Sequence, residues 1–393
     1  MHILLVADGR SPITQRWIAM LAPLEARISL ISTYPCRPIP GTDLVGVMPV
    51  AFARFSGSQA GGAAPARSHK GLISHVRPLA AQLRHWLGPW TLPFYERQFT
   101  ELVRDLHPDV VHALRLPFEG MLAVATPRDI PLIVSTWGND LTLHAPASPR
   151  MGQLTRRVLH RADALFSDTP RDAELAVHWG FAEQKPRLVV PGNGGLDLSE
   201  FDATIRGISR ATPPQIIDPR GLRAYVRSDT FFQAIPLVLQ KYPQVRFLCT
   251  SMQGQKEALE WVEKLGIGAN VTLLPLLSQT ELWAEFARAT ASVSISTHDG
   301  TPNSLLEAMA AGCLPICGDI DSIRDWIKPG ENGLLVRQDD AQALAQAILT
   351  AIENAPLRHQ AAHTNRHIIE ERASLSQTRS QIFAFYSQFD TQK

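Results

Sequence analysis

Short apolar segments alternate with longer amphipathic segments along almost the whole chain, and this order limits the fold more than any other feature. Runs such as HILLVA, LIVSTW and ALFSDT in the first half, and RFLCTS, ASVSIS and LPICGD in the second, have the length and composition of buried strands. Strands that alternate with helices build parallel sheets covered by helices on both faces. The sequence therefore predicts an α/β protein with two doubly wound parallel sheets.

The chain is long enough for two domains, each with a core of its own. It has 393 residues, and its apolar pattern is interrupted between Asn193 and Pro214 by a polar segment rich in Gly, Ser and Pro. We therefore expect one domain over residues 1–195 and a second over residues 213–375. Residues 376–393 are predicted to form an amphipathic helix with apolar side chains on neighbouring turns, namely Ile382, Phe383, Phe385, Tyr386 and Phe389.

Composition excludes several classes of protein. The formal net charge is +1, and 45% of the residues are hydrophobic, so nucleic acid is not an expected partner. No window approaches 18 uninterrupted apolar residues, and the first apolar run, Ile3 to Ala7, is too short for an export signal. A cytoplasmic location is expected. The cysteines lie on or beside apolar runs, which favours reduced core thiols, at Cys36, Cys249, Cys313 and Cys317.

Positive charge is concentrated in the first half. Residues 1–195 contain 20 Lys and Arg against 15 Asp and Glu, and residues 54–104 combine seven basic with two acidic side chains among several aromatic ones. Two interpretations remain open for residues 54–104. They form either a peripheral contact with an anionic membrane at its inner face or a solvated basic face over packed aromatic rings. The membrane interpretation favours a lipid-linked acceptor.

The stretch HDGTPNSLLEAM, beginning at His298, favours a site for an anionic ligand. A buried strand ends at Ser296, and Thr301, Pro302 and Asn303 mark the start of a helix. The free N–H groups and the dipole of a helix N-terminus attract phosphate. Glu307, one turn into the helix, can accept hydrogen bonds from sugar hydroxyls. A diphosphate and a diol are the two halves of a nucleotide sugar.

This stretch resembles the donor-site motif of the family 4 glycosyltransferases, E-x(7)-E, with Asp299 in place of the first Glu and Glu307 as the second. The resemblance implies the GT-B fold, in which two Rossmann-like domains face each other across a cleft, and sugar transfer with retention. It implies that residues 1–195 bind the acceptor, that residues 213–375 bind the donor, and that the helix over residues 376–393 crosses back to the first domain. It places Asp299 at the donor sugar, the amides around Asn303 at the diphosphate and Glu307 at the ribose. The donor-binding residues implied by this stretch are Gly300, Thr301, Asn303, Ser304, Leu305 and Glu307.

Further segments extend the resemblance. The opening MHILLVADGRSP is similar to the first strand and loop of the family, where Gly9 lets the backbone approach the donor. The segment STWGNDL resembles the H-G-x-D loop and places Asn139 and Asp140 at the cleft, but Trp137 stands where the family has His.

Two more positions follow from the same comparison. The segment VPGNGGLDLSEF resembles N-G-[VI]-D, with Asn193 in place and Gly195 inserted. His112, at the end of the strand in PDVVHALRLP, matches a His common in the family. A ligand contact and a core position are both open for His112.

The family usually binds the diphosphate with Arg and Lys from G-R-L-x(3)-K. The corresponding segment, IIDPRGLRAYVRSD, supplies Arg220 but no Lys, and Arg223 and Arg227 are the candidates to replace it. Asp299 and Arg220 are the predicted catalytic residues, and Arg227 is a further predicted donor ligand.

No metal or other cofactor is expected. Asp319-Ile320-Asp321 has the D-x-D form of metal-dependent glycosyltransferases, but it lies in a region that resembles the metal-independent fold. His359, His363 and His367 recur every four residues without accompanying Cys or carboxylate ligands, which favours an exposed helix face.

These patterns together predict a retaining glycosyltransferase that moves sugar from a nucleotide-diphosphate sugar to a saccharide or lipid-linked acceptor, in the synthesis of cell-surface polysaccharide or glycolipid. Three alternatives remain. A nucleotide-sugar 2-epimerase shares the fold, and a noncatalytic sugar-nucleotide or polysaccharide-binding partner would fit the missing Lys, Trp137 and the shortened Asp299. A two-domain periplasmic binding protein fits only the architecture.

Overall fold

The computed structural model describes residues 1–53 and 84–390. These residues form two units, the first comprising Met1–Gly194 with Arg379–Lys393 and the second Gly195–Thr378. Each unit has its own sheet and its own apolar core.

The first unit contains a seven-stranded sheet in the order β3-β2-β1-β4-β5-β6-β7, and its neighbouring strands pair in parallel. The three strands β4, β5 and β6 are buried along their whole length, and β1 and β2 at all but their first residue, as expected for strands covered by helices on both faces. The strands are β1 (His2–Ala7), β2 (Arg27–Ser32), β3 (Asp43–Val47), β4 (Val110–Ala113), β5 (Leu132–Thr136), β6 (Ala164–Ser167) and β7 (Arg187–Val189).

Helices of the first unit begin at residues that favour helix starts. Ser148 and Thr169 are N-caps whose side chains accept hydrogen bonds from Met151 N and Asp172 N, and a proline follows each cap. The α-helices are α1 (Pro12–Leu21), α2 (Pro93–Leu106), α3 (Met121–Ala123), α4 (Pro149–Arg161) and α5 (Pro170–His178).

The second unit contains a six-stranded sheet in the order β10-β9-β8-β11-β12-β13, again with parallel pairing. The prediction of two doubly wound parallel sheets is therefore confirmed. The strands are β8 (Gln215–Asp218), β9 (Arg246–Cys249), β10 (Val271–Leu273), β11 (Ala291–Ser294), β12 (Leu314–Gly318) and β13 (Leu334–Val336).

Long helices cover both faces of this second sheet. One of them begins with a capping box, in which the Ser278 hydroxyl accepts from Glu281 N while the Glu281 carboxylate accepts from Ser278 N. The helices are α6 (Leu198–Ile205), α7 (Ser228–Leu239), α8 (Lys256–Lys264), α9 (Gln279–Arg288), α10 (Asn303–Ala310), α11 (Asp321–Arg324), α12 (Ala341–Glu353) and α13 (Ala355–Arg372). The last helix, α14 (Leu375–Tyr386), begins in the second unit and continues into the first. Within the described ranges, none of the helices has the length and apolar character needed to cross a bilayer.

The strand order reverses in the middle of each sheet. In the first sheet, β1 lies between β2 and β4, and in the second, β8 lies between β9 and β11. Loops that leave the carboxyl ends of these strands turn in opposite directions and open a crevice, which is where ligands bind in sheets of this kind. Each unit therefore has one preferred place for a ligand.

The last helix supplies part of the core of the first unit. The Tyr386 hydroxyl accepts a hydrogen bond from Trp17 Nε1 at 3.2 Å, and the ring of Phe385 packs against that of Phe166 with centroids 4.7 Å apart. Tyr386 is fully buried. Residues near the end of the chain thus complete a core that begins at β1.

Candidate functional site

The crevice of the second unit lies where the loops after β8 and β11 leave the sheet. Asp218 ends β8, and its buried carboxylate accepts a hydrogen bond from Arg220 N at 2.9 Å. Gly221 follows with a φ of 65°, a value that favours glycine. This tight turn fixes the direction of the Arg220 side chain.

Arg220 is held at the centre of the crevice by side chains from the second loop. Its Nη2 lies 2.7 Å from Asp299 Oδ2, and its Nη1 lies 3.4 Å from Ser304 Oγ. The Arg220 and Asp299 side chains are only 9% and 15% exposed. Burial raises the pKa of Asp299, and the positive charge of Arg220 opposes this rise. The predicted catalytic pair is therefore in direct contact.

Helix α10 begins immediately beside this pair. Pro302 is its N-cap, and Leu305 N already donates to Pro302 O at 3.0 Å. The N–H groups of Asn303 and Ser304 belong to the first turn, in which amides have no carbonyl one turn back. Of the three predicted diphosphate amides, Asn303 and Ser304 are thus the better placed, and Leu305 is buried.

Glu307 lies one turn into α10, and its side chain is directed toward α9. It is 6% exposed, and its Oε1 accepts a hydrogen bond from Gln279 Nε2 at 3.0 Å. Two other predicted donor residues shape the turn before the helix. Gly300 N donates to Asp299 Oδ1 at 3.2 Å, and Thr301 Oγ1 accepts from Trp326 Nε1 at 3.1 Å.

The two arginines proposed to replace the family's Lys have other contacts. Arg227 pairs with Asp229 at 2.7 Å, with both side chains more than a third exposed. Arg223 is exposed and donates to the Tyr225 hydroxyl at 2.9 Å. Neither arginine makes the close contact with Asp299 that Arg220 makes.

In the first unit, Gly9 and Asn193 lie in tight backbone segments. A Cβ atom on Gly9 would lie 2.5 Å from Cys36 Sγ, so this position excludes larger residues, and Gly9 N donates to Ser32 Oγ at 3.0 Å. Asn193 is 8% exposed and precedes Gly194, whose φ is 84°.

The Asp140 side chain is buried and stabilises the loop in which it lies. Its carboxylate is 1% exposed, forms a 2.9 Å ion pair with Arg115 and accepts from Trp137 N at 3.2 Å. Burial raises its pKa, and Arg115 opposes the rise. The neighbouring Asn139 is partly buried, and its Oδ1 has no hydrogen-bond partner within residues 1–53 and 84–390.

His112 is fully buried, and both ring nitrogens are paired. Nδ1 lies 2.5 Å from the Tyr386 hydroxyl, and Nε2 lies 2.8 Å from Ser135 Oγ. Since the Tyr386 oxygen already accepts from Trp17, its own proton is free to be donated to His112 Nδ1. Burial lowers the pKa of His112 to about 3. These contacts favour the core alternative over a ligand contact.

The crevice of the first unit contains a cavity of about 350 Å³ that the sequence patterns do not indicate. Its lining comes from the ends of β1, β4 and β5, from the residue pair Arg84 and His85, and from the π-helical turns Leu116–Gly120 and Asp140–His144. The polar lining residues include Asp8, Tyr34, Arg84, His85, Arg115, Glu119 and His144. They come from five separate segments of the chain, so no single local motif identifies the cavity.

The residues with metal-like spacing have other roles. Asp319 forms a two-pronged ion pair with Arg324, at 2.6 and 2.7 Å, and His367 lies 3.2 Å from Glu371. In the part of the chain that the structure describes, no three His, Cys, Asp or Glu side chains are grouped in a way that would hold a metal ion.

Two domain families match this chain, one for each unit. The glycosyl transferase 4-like domain matches residues 9–194, and glycosyl transferases group 1 match residues 206–368. The second match includes Arg220, Asp299 and Glu307.

Curated proteins with similar sequences include glycosyltransferases of bacteria. The GDP-mannose:cellobiosyl-diphosphopolyprenol alpha-mannosyltransferase of Xanthomonas campestris is 25% identical over 313 residues, which cover 70% of this chain and 76% of that protein. The D-inositol 3-phosphate glycosyltransferase of Rhodococcus opacus is 27% identical over 243 residues, 56% of this chain and 52% of that protein.

Solved structures show the same fold over the whole chain. Anabaena Alr3699/HepE in complex with UDP-glucose has a TM-score of 0.68 and 15% identity, covering 99% of this chain and 100% of that one. Sucrose-phosphate synthase from Thermosynechococcus elongatus has a TM-score of 0.71 and 15% identity, with 100% of both chains covered.

Proposed function

Because this chain belongs to the glycosyltransferases of GT-B fold, with a 4-like domain followed by a group 1 domain, we propose that its second unit binds a nucleotide-diphosphate sugar through Arg220, Asp299 and α10. Members of this family transfer sugar from nucleotide sugars. The finer proposal is transfer with retention and without a metal, to a saccharide or lipid-linked acceptor in polysaccharide or glycolipid synthesis.

One observation supports this assignment above all others. Arg220 and Asp299 follow different strands, β8 and β11, at the reversal of strand order, and they meet at 2.7 Å beside the first turn of α10. A guanidinium and helix-start amides suit a diphosphate, because both donate hydrogen bonds to its oxygens. A carboxylate at the same place suits the hydroxyls of the sugar that the diphosphate carries.

The proposed chemistry rests on the charge that develops as the sugar leaves. The bond between the anomeric carbon and the diphosphate oxygen breaks, and its electron pair stays on the diphosphate. Arg220 and the amides of Asn303 and Ser304 stabilise that negative charge in a site largely removed from water. The acceptor oxygen then bonds to the anomeric carbon on the same face, and its proton passes to the departing diphosphate.

Asp299 has a positioning role in this scheme. In the absence of donor its Oδ2 accepts from Arg220, and a diphosphate would compete for the same guanidinium. Asp299 would then be available to sugar hydroxyls, and its hydrogen bonds would hold the anomeric carbon close to the acceptor oxygen. A carboxylate poised as a covalent nucleophile is not assigned.

Glu307 gives the most direct test of donor binding. We expect Glu307→Ala to weaken nucleoside diphosphate binding about 10- to 100-fold, because a hydrogen bond from a ribose hydroxyl to a charged acceptor contributes roughly 1.5–3 kcal/mol. Titration calorimetry with UDP, GDP, ADP and dTDP measures this change and also identifies the base. The exposed Glu257→Ala is the matched control and should bind as the unmodified protein does. Equal affinity in both variants would remove Glu307 from the site.

A membrane-associated location is supported by a surface strip, defined here as Trp86, Leu87, Trp90 and Phe94. These side chains are 58%, 45%, 66% and 82% exposed, an unusual concentration of large apolar groups in nine residues. Arg150 lies 5.9 Å over the ring of Trp90. Aromatic rings beside arginines suit the boundary of an anionic bilayer. Of the segment 54–104 implicated by sequence, residues 54–83 lie outside the described residues.

Vesicle binding tests the surface strip. Replacing both Trp90 and Phe94 with Ser should lower partitioning into vesicles of phosphatidylcholine with phosphatidylglycerol by about 10-fold or more, because each ring loses roughly 1.5–3 kcal/mol of apolar burial when fully inserted. Co-sedimentation measures the bound fraction. Leu276→Ser is the control, since Leu276 is 72% exposed in the second unit and outside the strip. A similar loss in both variants would contradict a specific membrane face.

A further inference from the structure

The cavity of the first unit carries more positive charge than its acidic residues neutralise. Arg115 points into it, and its Nε is paired with Asp140. Arg84 lies over the rings of Tyr34 and Phe118, at 5.4 and 4.9 Å, and its Nε has no hydrogen-bond partner in the described part of the chain. Ring faces attract the guanidinium but do not neutralise it.

Two histidines in the wall are held in the neutral state. Arg115 Nη2 lies 3.0 Å from His144 Nε2, and since arginine only donates, this nitrogen of His144 accepts. His144 Nδ1 then carries the proton and donates to His85 Nε2 at 3.0 Å. Burial and Arg115 lower the pKa of His144 to about 3. The positive charge of the cavity is therefore located on the guanidinium groups.

The acidic residues of the cavity compensate this charge incompletely. Asp8 is paired with Arg10 at 3.1 Å. Glu119 is 7% exposed and accepts from Thr33 Oγ1 at 2.9 Å, and burial raises its pKa to about 7 against the opposing effects of Arg115 and Arg84. Burial thus disfavours the charged form of Glu119, which weakens its ability to neutralise Arg84.

The backbone at this wall is strained. Phe118 has a φ of 65° and a ψ of −51°, which a bulky residue adopts only when its surroundings impose it. Its ring packs against Gly88, where a Cβ atom would lie 3.0 Å from Phe118 Cε1. This contact fixes the segment after Arg84 against the cavity wall. Strain of this kind is concentrated at binding sites.

The apolar surface strip begins directly beside the cavity. Arg84 and His85 line the cavity, and Trp86, Leu87 and Trp90 follow in the same segment and face solvent. A molecule with a charged head group and an apolar extension could therefore place its head group in the cavity and its extension along the surface strip. The same head group on a free sugar would use the cavity alone.

We propose that this cavity binds the acceptor through a phosphate group held by Arg84 and Arg115. The inference rests on the proposed function and deepens it, because it assigns the acceptor to the class of organic phosphates. Two arginines in one cavity suit a phosphate better than neutral sugar hydroxyls, since guanidinium and phosphate form paired, charged hydrogen bonds. A lipid-linked phosphate and a soluble sugar phosphate share this chemistry.

Calorimetry with paired probes tests the proposal. Glucose 1-phosphate should bind, and methyl α-glucoside, which has the same ring without the charge, should bind at least about 10-fold more weakly. Arg84→Gln should weaken glucose 1-phosphate binding about 10- to 100-fold. Arg97→Gln, which removes an exposed arginine from the same unit, should leave it unchanged. Arg84→Lys retains the charge but loses the paired hydrogen bonds, so it should recover part of the affinity, which separates loss of charge from loss of fold.

Geranyl phosphate distinguishes the two sources of phosphate. If geranyl phosphate binds more tightly than glucose 1-phosphate, and Trp90→Ser removes the difference in affinity, the acceptor is lipid-linked. If glucose 1-phosphate binds more tightly, the acceptor is soluble. The proposal is overturned if neither phosphate binds or if both bind Arg84→Gln as well as the unmodified protein. Nucleotide titrations on the same samples report the donor site separately, so failure of one assignment leaves the other measurable.

Discussion

Replacing Arg220 with Ala is expected to lower turnover by about two to three orders of magnitude while weakening donor binding much less. The loss is expected because a cation that meets developing charge stabilises the transition state more than the ground state, typically by roughly 3–4 kcal/mol. Arg220 is the appropriate target because it contacts both Asp299 and Ser304. Initial rates and nucleotide affinity, measured on one preparation, give kcat and Kd separately.

The control for this experiment lies three residues away. Arg223→Ala removes an exposed arginine of the same loop and should retain near-normal turnover. Removing Arg220 also deprives the buried Asp299 of its ion-pair partner, so the double variant Arg220→Ala with Asp299→Asn should melt at a higher temperature than Arg220→Ala alone. If Arg220→Ala lowers affinity and turnover by the same factor, Arg220 binds the donor without a specific role in the transition state.

The second large effect concerns stability in acid. His112 is neutral in the folded protein, and burial lowers its pKa to about 3, whereas in the unfolded chain it takes up a proton near its ordinary pKa of 6.5. Between these values the unfolded state binds more protons, so stability falls as pH falls. The stability contribution lost between pH 7 and pH 4 is roughly 3 kcal/mol.

Urea unfolding followed by circular dichroism, repeated from pH 7 to pH 4, measures this dependence. His112→Gln retains hydrogen-bonding atoms without an ionisable ring, so we expect it to be less stable at pH 7 and to lose less stability on acidification. The exposed His178→Gln should retain the full pH dependence. If the free energy of unfolding falls equally with pH in His112→Gln and in the unmodified protein, protonation of another group causes the loss of stability.

The donor-site residues could be predicted from the sequence because each is tied to a strand end. Arg220 follows β8 and Asp299 follows β11, and parallel strands bring their carboxyl ends to one edge. The roles assigned to these residues stay predictions. The edge strand β3 was missed because DLVGV is half-exposed and contains Gly46, which weakens the strand pattern.

Residues of the first-unit cavity could not be predicted in the same way. Tyr34, Arg84 and the pair Arg115 and Glu119 come from three segments separated by tens of residues, and isolated charged residues are usually solvated. His112 illustrates the same limit, since its environment depends on Tyr386, 274 positions later. Such contacts are products of the tertiary fold and leave no spacing in the chain.

The place of the last helix has a consequence for how the protein is made. Trp17, His112 and Phe166 pack against Phe385 and Tyr386, which the ribosome adds more than 200 residues after Phe166. The core of the first unit therefore stays incomplete until the second unit has been synthesised. During that interval Trp17 and Phe166 lack the rings that pack against them, and His112 lacks the hydroxyl that pairs with its Nδ1. A chain truncated near residue 378 would lack these contacts permanently.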